Sequence, residues 1–366
     1  MDELRAATLA PGPGVALPFF AYTDPSVHEL EMERVFRGDW VAVCAAAELQ
    51  DPGDYLALTI GGEPVALVRG DDGELRALSN VYRHRGTLLL DPGRGHVSSL
   101  ICPYHAWAYG YDGAFRGAPH TGNVEIRAKD HSLPSFRTET WAGVAFVNVS
   151  GDAEPLADRF AGMAPHLSNF GIERFTHSVG DVAAETWNAN WKLAFENGIE
   201  SYHLFKVHRD TLEKLSPTRG AYYVEGSPSW TLTAGAVHGD SRPRSGEPES
   251  IGAFERSHYL LVSLPPSFVG VLTRDSWGWI TIHPEETNRC SITTGALVAE
   301  ASAAAGSEAG DFTEAFLAED RWICERGQRG MQARHSHGGS LVELERVVGD
   351  FHRYLGRQLF GAEVPE

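Results

Sequence analysis

The segment from Asn190 to His208 most constrains what this chain can fold into, because it joins a helical pattern to closely spaced polar groups. Asn190 is a candidate N-cap, and the apolar residues after it predict a mostly buried helix: Leu193, Phe195, Ile199, Tyr202 and Phe205. Glu200 and His203 are three residues apart, so in a helix they share one face. A straight α-helix would place His208 about 140° around from His203. Both imidazoles can therefore bind one metal ion only if the helix loosens or ends before His208.

Two imidazoles near one carboxylate indicate mononuclear iron, because a site of two histidines and one carboxylate leaves positions open for dioxygen. The alternative is two ordinary histidines near a helix end. The segment, with its Asn-Trp-Lys and Glu-Asn sequences, resembles the iron site of the large (alpha) subunit of Rieske non-heme iron oxygenases. That resemblance implies that His203 and His208 are iron ligands. It also implies that Glu200 is the catalytic acid that carries electrons in from a neighbouring subunit's iron–sulfur cluster.

Length and composition favour a chain of two globular domains. The 366 residues are 42% hydrophobic and 22% charged, and the net charge is −18. This acidity disfavours nucleic acid and anionic membrane as partners and is compatible with a cationic or neutral substrate. No apolar run approaches the roughly 18 residues of a membrane span, and no signal-peptide pattern is found. Four scattered cysteines make no disulfide framework, which favours a reducing cytoplasm: Cys44, Cys102, Cys290 and Cys324.

The pattern along the chain predicts an α+β protein with an N-terminal segment over residues 1–38, a small antiparallel β domain over 39–150 and a second domain over 151–366. Turn signals such as Asp51-Pro-Gly and Gly61-Gly separate the short strands of the β domain. In the second domain six longer strands are predicted: Tyr222–Glu225, Ser229–Ala234, Tyr259–Val262, Phe268–Leu272, Trp277–His283 and Cys290–Val298. Mobile loops are predicted over Gly239–Ser250 and Ala301–Gly310. Two helices are predicted to close the chain, one opening at Asp311 and one from Leu341 to about Phe360.

A second constellation lies in the β domain. It consists of Asn80-Val-Tyr-Arg-His84-Arg-Gly and Cys102-Pro-Tyr-His105-Ala-Trp. A Rieske [2Fe–2S] centre has two thiolates on one iron and two imidazoles on the other. The second sequence resembles a complete cluster loop, and the first resembles the other loop at His84, Arg85 and Gly86. By that resemblance the cofactor-binding positions are Tyr82, His84, Cys102 and His105.

Tyr82 stands where the resemblance calls for a cysteine. A phenol oxygen lies farther from the backbone than a cysteine sulfur, and its ordinary pKa is about 10 rather than about 8.5. To act as a ligand, the side chain would have to swing out or displace the loop. Three interpretations stay open: a variant of a working oxygenase, a natural member that lost its cluster, or a cluster with an unusual ligand. The third is the least favoured, since iron–sulfur centres prefer thiolate.

The third iron ligand is assigned by the same resemblance to Asp320, in the stretch Glu319-Asp320-Arg-Trp-Ile-Cys-Glu-Arg-Gly-Gln-Arg-Gly. From periodicity alone, a solvated acidic pair on an amphipathic helix would be the better interpretation. The resemblance spans roughly residues 35–355. It implies a Rieske domain inserted before a helix-grip (START-like) catalytic domain with a curved antiparallel sheet, and a homotrimer in which each cluster lies beside the neighbour's Glu200.

The expected activity is therefore that of a mono- or dioxygenase. It would use mononuclear iron and dioxygen to hydroxylate or oxidatively demethylate a small organic substrate. A ferredoxin or a flavin reductase that depends on NAD(P)H would supply the electrons. Residues from Ser263 to Glu285 are expected to line the substrate pocket, and quaternary ammonium compounds and aromatic rings both remain open as substrates. The alternative is a non-catalytic or regulatory subunit that lost its cluster and assembles with an intact relative. Tyr82 favours that alternative, and the complete iron triad favours the enzyme.

Overall fold

The computed structural model describes residues 1–179, 184–239, 241–243, 247–299 and 309–361. The chain forms two compact units, one of Met1–Val35 with Glu154–Glu366 and one of Phe36–Ala153. No helix among the described residues is both long enough and apolar enough to cross a membrane. The helices are α1 (Asp2–Thr8), α2 (Pro25–Glu31), α3 (Ala128–His131), α4 (Leu156–Arg159), α5 (Ala164–Leu167), α6 (Trp191–Ile199), α7 (Leu204–Val207), α8 (Leu212–Leu215), α9 (Ala253–Ser257), α10 (Ala309–Gly330) and α11 (Arg346–Phe360).

The unit Phe36–Ala153 is built from antiparallel strands. They are β1 (Val41–Ala45), β2 (Asp54–Ile60), β3 (Glu63–Arg69), β4 (Leu75–Ser79), β5 (Gly93–His96), β6 (Leu100–Ile101), β7 (Ala108–Tyr109), β8 (Phe115–Gly117), β9 (Ser135–Trp141) and β10 (Val144–Asn148). Seven of them form one sheet in the order β1-β10-β9-β4-β3-β2-β5, and β6-β7-β8 form a second. The β2–β3 hairpin turns at Gly61 and Gly62, with φ of +56° and +86°. Two positive φ angles are what a two-residue hairpin turn requires, so glycine is favoured there.

The unit of Met1–Val35 and Glu154–Glu366 contains the larger sheet. Its strands are β11 (His177–Ser178), β12 (Ala184–Trp187), β13 (Ala221–Gly226), β14 (Thr231–Ala236), β15 (His258–Leu264), β16 (Phe268–Leu272), β17 (Ser276–Glu286) and β18 (Arg289–Val298). All of their pairings are antiparallel, in the order β11-β18-β17-β16-β15-β14-β13, and β12 also pairs with β18. Helix α6 packs against β15, β16 and β17, while α11 packs against α6, β13 and β14. Helices thus cover the sheet, and part of the candidate site directly follows the C-terminal end of α6.

Several predicted elements lie where the sequence placed them. Strand β16 coincides with the predicted Phe268–Leu272, and the five other strands predicted for the second domain overlap β13, β14, β15, β17 and β18. The α+β prediction is confirmed. The helix predicted to open at Asp311 begins at Ala309 instead. The last helix begins at Arg346 rather than Leu341, because a 3₁₀ turn over Glu343–Glu345 precedes it. Two loops were predicted to be mobile. Residues 240 and 244–246 of the loop Gly239–Ser250, and most of the loop Ala301–Gly310, lie outside the described residues. Helix α9 follows the first of these loops.

The N-terminal segment is tied to α6 by buried polar groups. Lys192 Nζ lies 2.6 Å from Glu31 Oε1, and both side chains are fully buried. The indole N–H of Trp191 donates to Glu31 Oε2 at 2.8 Å. The hydroxyl of Tyr22 donates to Glu196 at 2.8 Å. Because a buried charge is costly without a partner, these contacts fix the start of α6 against residues more than 150 positions earlier in the sequence.

Candidate active site

The end of α6 sets the geometry of the predicted iron-binding segment. The Asn190 side chain accepts a hydrogen bond from the Lys192 N–H at 3.1 Å, as expected for an N-cap. The helix ends at Ile199, and Glu200 has extended backbone. Glu200 and His203 therefore do not share a helical face, and that prediction was wrong because the helix ends before both. A helix end before His208 was predicted, and α7 does end at Val207 with His208 as its C-cap. The backbone between the two histidines is helical, because His203 is the N-cap of α7.

Exposure within this segment also differs from the prediction of a mostly buried helix. Phe195 and Ile199 are buried. Tyr202 and Phe205 are 41% and 50% exposed, because they follow the end of α6 and no longer face its buried side. Two aromatic side chains beside Glu200 thus lie on the surface of this unit.

His203, His208 and Asp320 meet where α7 approaches α10. Asp320 Oδ1 lies 2.8 Å from His208 Nε2 and 3.6 Å from His203 Nε2. One ligand atom from each of the three residues lies within 4.8 Å of the other two, and His208 and Asp320 are buried. Bonds of about 2.0–2.2 Å to one metal ion place neighbouring donors about 3–4 Å apart, so this spacing fits a single ion. Two imidazoles and a carboxylate form the donor set of non-heme iron(II) sites.

The three groups shift one another's pKa values. Burial alone lowers the pKa of His203, but its hydrogen bonds with Asp320 and Glu200 outweigh burial and raise the pKa to about 10. Burial raises the pKa of Asp320, whereas its contacts with both histidines lower that pKa. The contacts have the larger effect, so the pKa of Asp320 lies below its usual value. Asp320 is therefore ionised at neutral pH. A metal ion that binds here displaces protons from the imidazoles, since ligating histidines are neutral.

A second set of side chains holds these donors in place. His208 Nδ1 lies 2.8 Å from Glu319 Oε2, and Thr211 donates its hydroxyl proton to the same oxygen at 2.6 Å. Asn197 Nδ2 donates to Asp320 Oδ1 at 2.7 Å. A carboxylate behind a histidine fixes its tautomer and leaves the opposite nitrogen, here Nε2, free for metal. The sequence prediction did not include Asn197, Thr211 or Glu319 among the site residues.

Glu200 lies behind His203, on the side of the ring that faces away from Asp320. Its Oε1 is 2.5 Å from His203 Nδ1, and its Oε2 accepts the backbone N–H groups of Tyr202 and His203. The carboxylate is thus held next to a candidate ligand without joining the group of three. This placement is compatible with a role in transfer to the metal site rather than in binding the metal.

The second predicted constellation consists of two loops with the same hydrogen-bond pattern. In one loop the Tyr82 N–H donates to Thr87 O, and the Gly86 N–H donates to Tyr82 O. In the other loop the Cys102 N–H donates to Trp107 O, and the Ala106 N–H donates to Cys102 O. Gly86 and Ala106 both have positive φ, +73° and +56°. Tyr82 and Cys102 therefore occupy equivalent positions in the two loops.

Tyr82 points into the space between the two histidines. Its hydroxyl lies 2.9 Å from His84 Nδ1 and 3.4 Å from His105 Nδ1, and the side chain is only 1% exposed. The ring packs edge-on against Trp107 at 5.5 Å. The side chain has therefore not swung out. These residues supply two imidazoles, one thiol and one phenol, which do not fit the two thiolates and two imidazoles of a Rieske cluster.

Family comparisons agree with this architecture. Residues 39–137 match the Rieske [2Fe-2S] domain, and residues 172–361, more than half of the chain, match the catalytic domain of the ring-hydroxylating alpha subunit. The glycine betaine monooxygenase oxygenase subunit of Chromohalobacter salexigens is 34% identical over 203 residues, 55% of this chain and 44% of that protein. The carnitine monooxygenase oxygenase subunit of Escherichia coli is 35% identical over 223 residues, 60% of this chain and 58% of that protein. The chain thus spans about half the length of the curated relatives it matches.

Solved structures show the same fold. A quaternary ammonium Rieske monooxygenase superposes with a TM-score of 0.81 at 23% identity, covering 97% of this chain and 98% of that one. Naphthalene 1,2-dioxygenase from Rhodococcus sp. superposes with a TM-score of 0.79 at 20% identity, covering 95% of each chain. The predicted fold class, a β-rich Rieske domain with a helix-grip catalytic domain, is confirmed. The chain belongs to the family of ring-hydroxylating oxygenase alpha subunits, with a Rieske domain and a mononuclear iron catalytic domain.

Proposed function

We propose that this chain is the oxygenase component of a Rieske-type monooxygenase, with iron bound by His203, His208 and Asp320. The observation that carries the proposal is the convergence of one donor atom from each of these residues within 4.8 Å. His203 is the N-cap of α7 and His208 is its C-cap, so the two imidazoles stand at the two ends of one short helix. The contacts with both imidazoles outweigh burial and lower the pKa of Asp320, so a negative charge stands next to them.

The side chains around the triad have separable tasks. Glu319 orients His208 through Nδ1, and Asn197 holds one oxygen of Asp320. Glu200 orients His203 in the same way from the other side. Iron in this donor set would supply dioxygen activation, because three protein ligands on one side leave further positions open. The protein's contribution is then a fixed set of three ligands in a largely buried site.

The proposed substrate is a small quaternary ammonium compound that is oxidised at an N-methyl group. Support comes from the relatives at 34% and 35% identity, whose names specify glycine betaine and carnitine monooxygenases. The net charge of −18 is compatible with a cationic substrate. Anthranilate 1,2-dioxygenase of Acinetobacter baylyi, whose large subunit is 28% identical over 253 residues, represents the competing class of ring hydroxylation. Residues 263–285 are proposed to line the pocket.

Electron supply is proposed to come from a separate ferredoxin or flavin reductase, with Glu200 as the bridging acid next to the proposed iron ligand His203. A homotrimer would place the Rieske domain of one copy beside Glu200 of the next. The exposed Tyr202 and Phe205 beside Glu200 give that surface apolar area for a protein contact. Four free, buried cysteines are compatible with the reducing cytoplasm that we propose as its location.

Tyr82 is proposed to impair the Rieske centre. Its phenol replaces one of four cluster donors and lies between the two histidines that should hold the second iron. The same observation favours a second candidate function, that of a non-catalytic subunit assembled with an intact relative. A complete iron triad argues against that candidate, because a subunit with no catalysis has no need of the triad.

The test is anaerobic reconstitution with Fe(II) followed by substrate turnover. We expect about one iron per chain at the triad, with that iron lost in His203→Ala and in Asp320→Ala. A chemical reductant and a panel of quaternary ammonium and aromatic compounds would then report single-turnover product. If the unmodified chain binds no iron that depends on His203 and Asp320, the assignment is wrong. If iron binds but no product forms, and the chain co-purifies with an intact relative, the non-catalytic function is favoured.

A further inference from the structure

Three donor atoms converge in the β-rich unit, far along the sequence from the iron triad. The hydroxyl of Tyr82 faces the Nδ1 atoms of His84 and His105 at 2.9 and 3.4 Å. We propose that these three side chains bind a single transition-metal ion at the place where the family has its cluster. The inference does not depend on the proposed oxygenase activity, because it uses a different set of residues.

The spacing of the donors carries the proposal. Bonds of about 2.0–2.2 Å to a tetrahedral ion place donor atoms about 3.3–3.6 Å from one another. Of the two separations from the phenol oxygen, 3.4 Å lies in that range and 2.9 Å lies about 0.4 Å below it. In a Rieske [2Fe–2S] cluster the thiolates and the imidazoles bind different irons. A thiolate and an imidazole of such a cluster are therefore farther apart than the length of one hydrogen bond. One ion fits the two separations from the phenol oxygen, which are too short for two irons and their sulfides to lie between these donors.

The surrounding packing holds the donors in place. The imidazole of His84 stacks on Trp107 with ring centroids 4.9 Å apart and an interplanar angle of 4°. Tyr82 packs edge-on against the same indole and is almost fully buried. Donors that are already ordered lose little conformational entropy when an ion binds.

An ion can reach this site from solution. His84 and His105 line a cavity of about 410 Å³ together with Trp107 and His120. That cavity also has room for water as a fourth ligand, as in zinc sites with three protein donors. Within the part of the chain that the structure describes, the Cys102 sulfur and the two imidazoles do not form a close group of ligand atoms. Cys102 is therefore not counted as a donor.

The donor chemistry selects the class of ion. Imidazole nitrogen suits Zn²⁺, Cu²⁺ and iron, whereas Mg²⁺ and Ca²⁺ prefer carboxylate, carbonyl and water oxygens. Burial raises the pKa of Tyr82 to about 12, so the phenol stays protonated until a metal cation replaces its proton. Phenolate is an established ligand of iron in proteins. The ion expected here is therefore a borderline transition metal and not an alkaline-earth ion.

The experiment uses the full chain with both iron-triad residues His203 and Asp320 replaced by alanine, so that the other metal site is removed. After treatment with a chelator, the protein is titrated with Zn²⁺ by calorimetry and with Co²⁺ by visible absorption. We expect one equivalent of tightly bound ion. The ultraviolet difference spectrum should show the ionisation of one tyrosine per equivalent of Zn²⁺, a readout that needs no variant at the site.

Matched variants then assign the donors. Tyr82→Phe keeps the packed ring and removes the oxygen. Loss of a group that only supports a ligand costs about 10–100-fold in metal affinity, so loss of a ligand should lower Zn²⁺ affinity more than about 100-fold. The tyrosine signal should also vanish. His105→Ala should have a similar effect on affinity. Tyr109→Phe is the control, because Tyr109 is buried in the same core but its hydroxyl accepts from the Arg83 N–H. That variant should bind as the parent does.

Three results would overturn the proposal. One is the absence of tight Zn²⁺ or Co²⁺ binding by the parent. Another is binding that Tyr82→Phe leaves unchanged, which would exclude the phenol as a donor. The third is stoichiometric acid-labile sulfide in the protein as isolated, which would mean that a cluster assembles despite Tyr82. None of these results bears on whether iron binds at His203, His208 and Asp320.

Discussion

Replacing Glu319 with alanine should weaken iron binding at the catalytic triad without removing any ligand. Glu319 Oε2 lies 2.8 Å from His208 Nδ1 and accepts the hydroxyl proton of Thr211 at 2.6 Å. It thereby fixes the imidazole with Nε2 turned toward Asp320. Without the carboxylate the ring can rotate and its basicity falls, and both changes oppose metal binding.

The structure sets the size of this effect. Loss of such a partner costs about 10–100-fold in metal affinity, or about 1.4–2.7 kcal/mol. The Glu319 side chain is 30% exposed, so water can replace part of its hydrogen bonding, and we expect a value near tenfold. Glu319→Gln keeps an oxygen that accepts from Nδ1–H and loses only the charge. Because charged hydrogen bonds exceed neutral ones by about 1 kcal/mol, its loss should be several-fold and smaller than that of alanine.

The assay is anaerobic competition for Fe(II) between the protein and a chromophoric chelator, repeated with Co(II). Glu314→Ala is the control, since Glu314 is an exposed glutamate on the same helix. Circular dichroism would check that each variant is folded. Equal iron affinity in Glu319→Ala and in the parent would refute the argument that this carboxylate holds His208. Complete loss of iron would instead make Glu319 a ligand.

Three further outcomes are expected. Glu200→Gln should keep iron bound, as measured by metal analysis, while reductase-driven turnover falls, and iron loss equal to that of His203→Ala would exclude the transfer role. Tyr82→Cys should raise the content of [2Fe–2S] cluster from near zero, as measured by the electron-paramagnetic signal of the reduced protein, and no signal after reconstitution would contradict it. Lys192→Met should lower the free energy of unfolding by about 3–5 kcal/mol in denaturant titrations, because it leaves the Glu31 charge buried without its cation. Lys192→Met with Glu31→Gln should recover much of this loss, and a double variant as unstable as the single one would contradict the ion-pair argument.

Local chemistry made part of this structure predictable. Gly61 and Gly62 specify a hairpin turn, and Asn190 specifies the start of α6, so both features follow from residues that are adjacent in sequence. A helix end before His208 was expected from the need to bring both imidazoles to one metal ion, and α7 does end at Val207. The end of α6 at Ile199 was not expected. Helical spacing could not show that α6 ends about one turn before the point that a shared face of Glu200 and His203 requires.

Contacts between distant residues were less accessible. Glu319 lies 111 residues after His208, and Lys192 lies 161 residues after Glu31. No pattern within a short window connects such pairs. The Glu-Asp pair at the iron ligand was the one available signal for Glu319. The family resemblance predicted Asp320 as a ligand but not that the neighbouring glutamate contacts a histidine.

The two candidate metal sites depend on separate supports, and this separation decides how activity data should be interpreted. His208 and Asp320 are held by Glu319, Thr211 and Asn197, all within one compact unit. Tyr82 belongs to the other unit and contacts His84 and His105 there. A change at Tyr82 should therefore alter the supply of electrons without altering iron affinity. A chain that binds iron normally and turns over only when reduced chemically would be an oxygenase with a defective electron entry. A chain that binds iron normally and stays inactive under chemical reduction would need a different explanation, which Tyr82 does not provide.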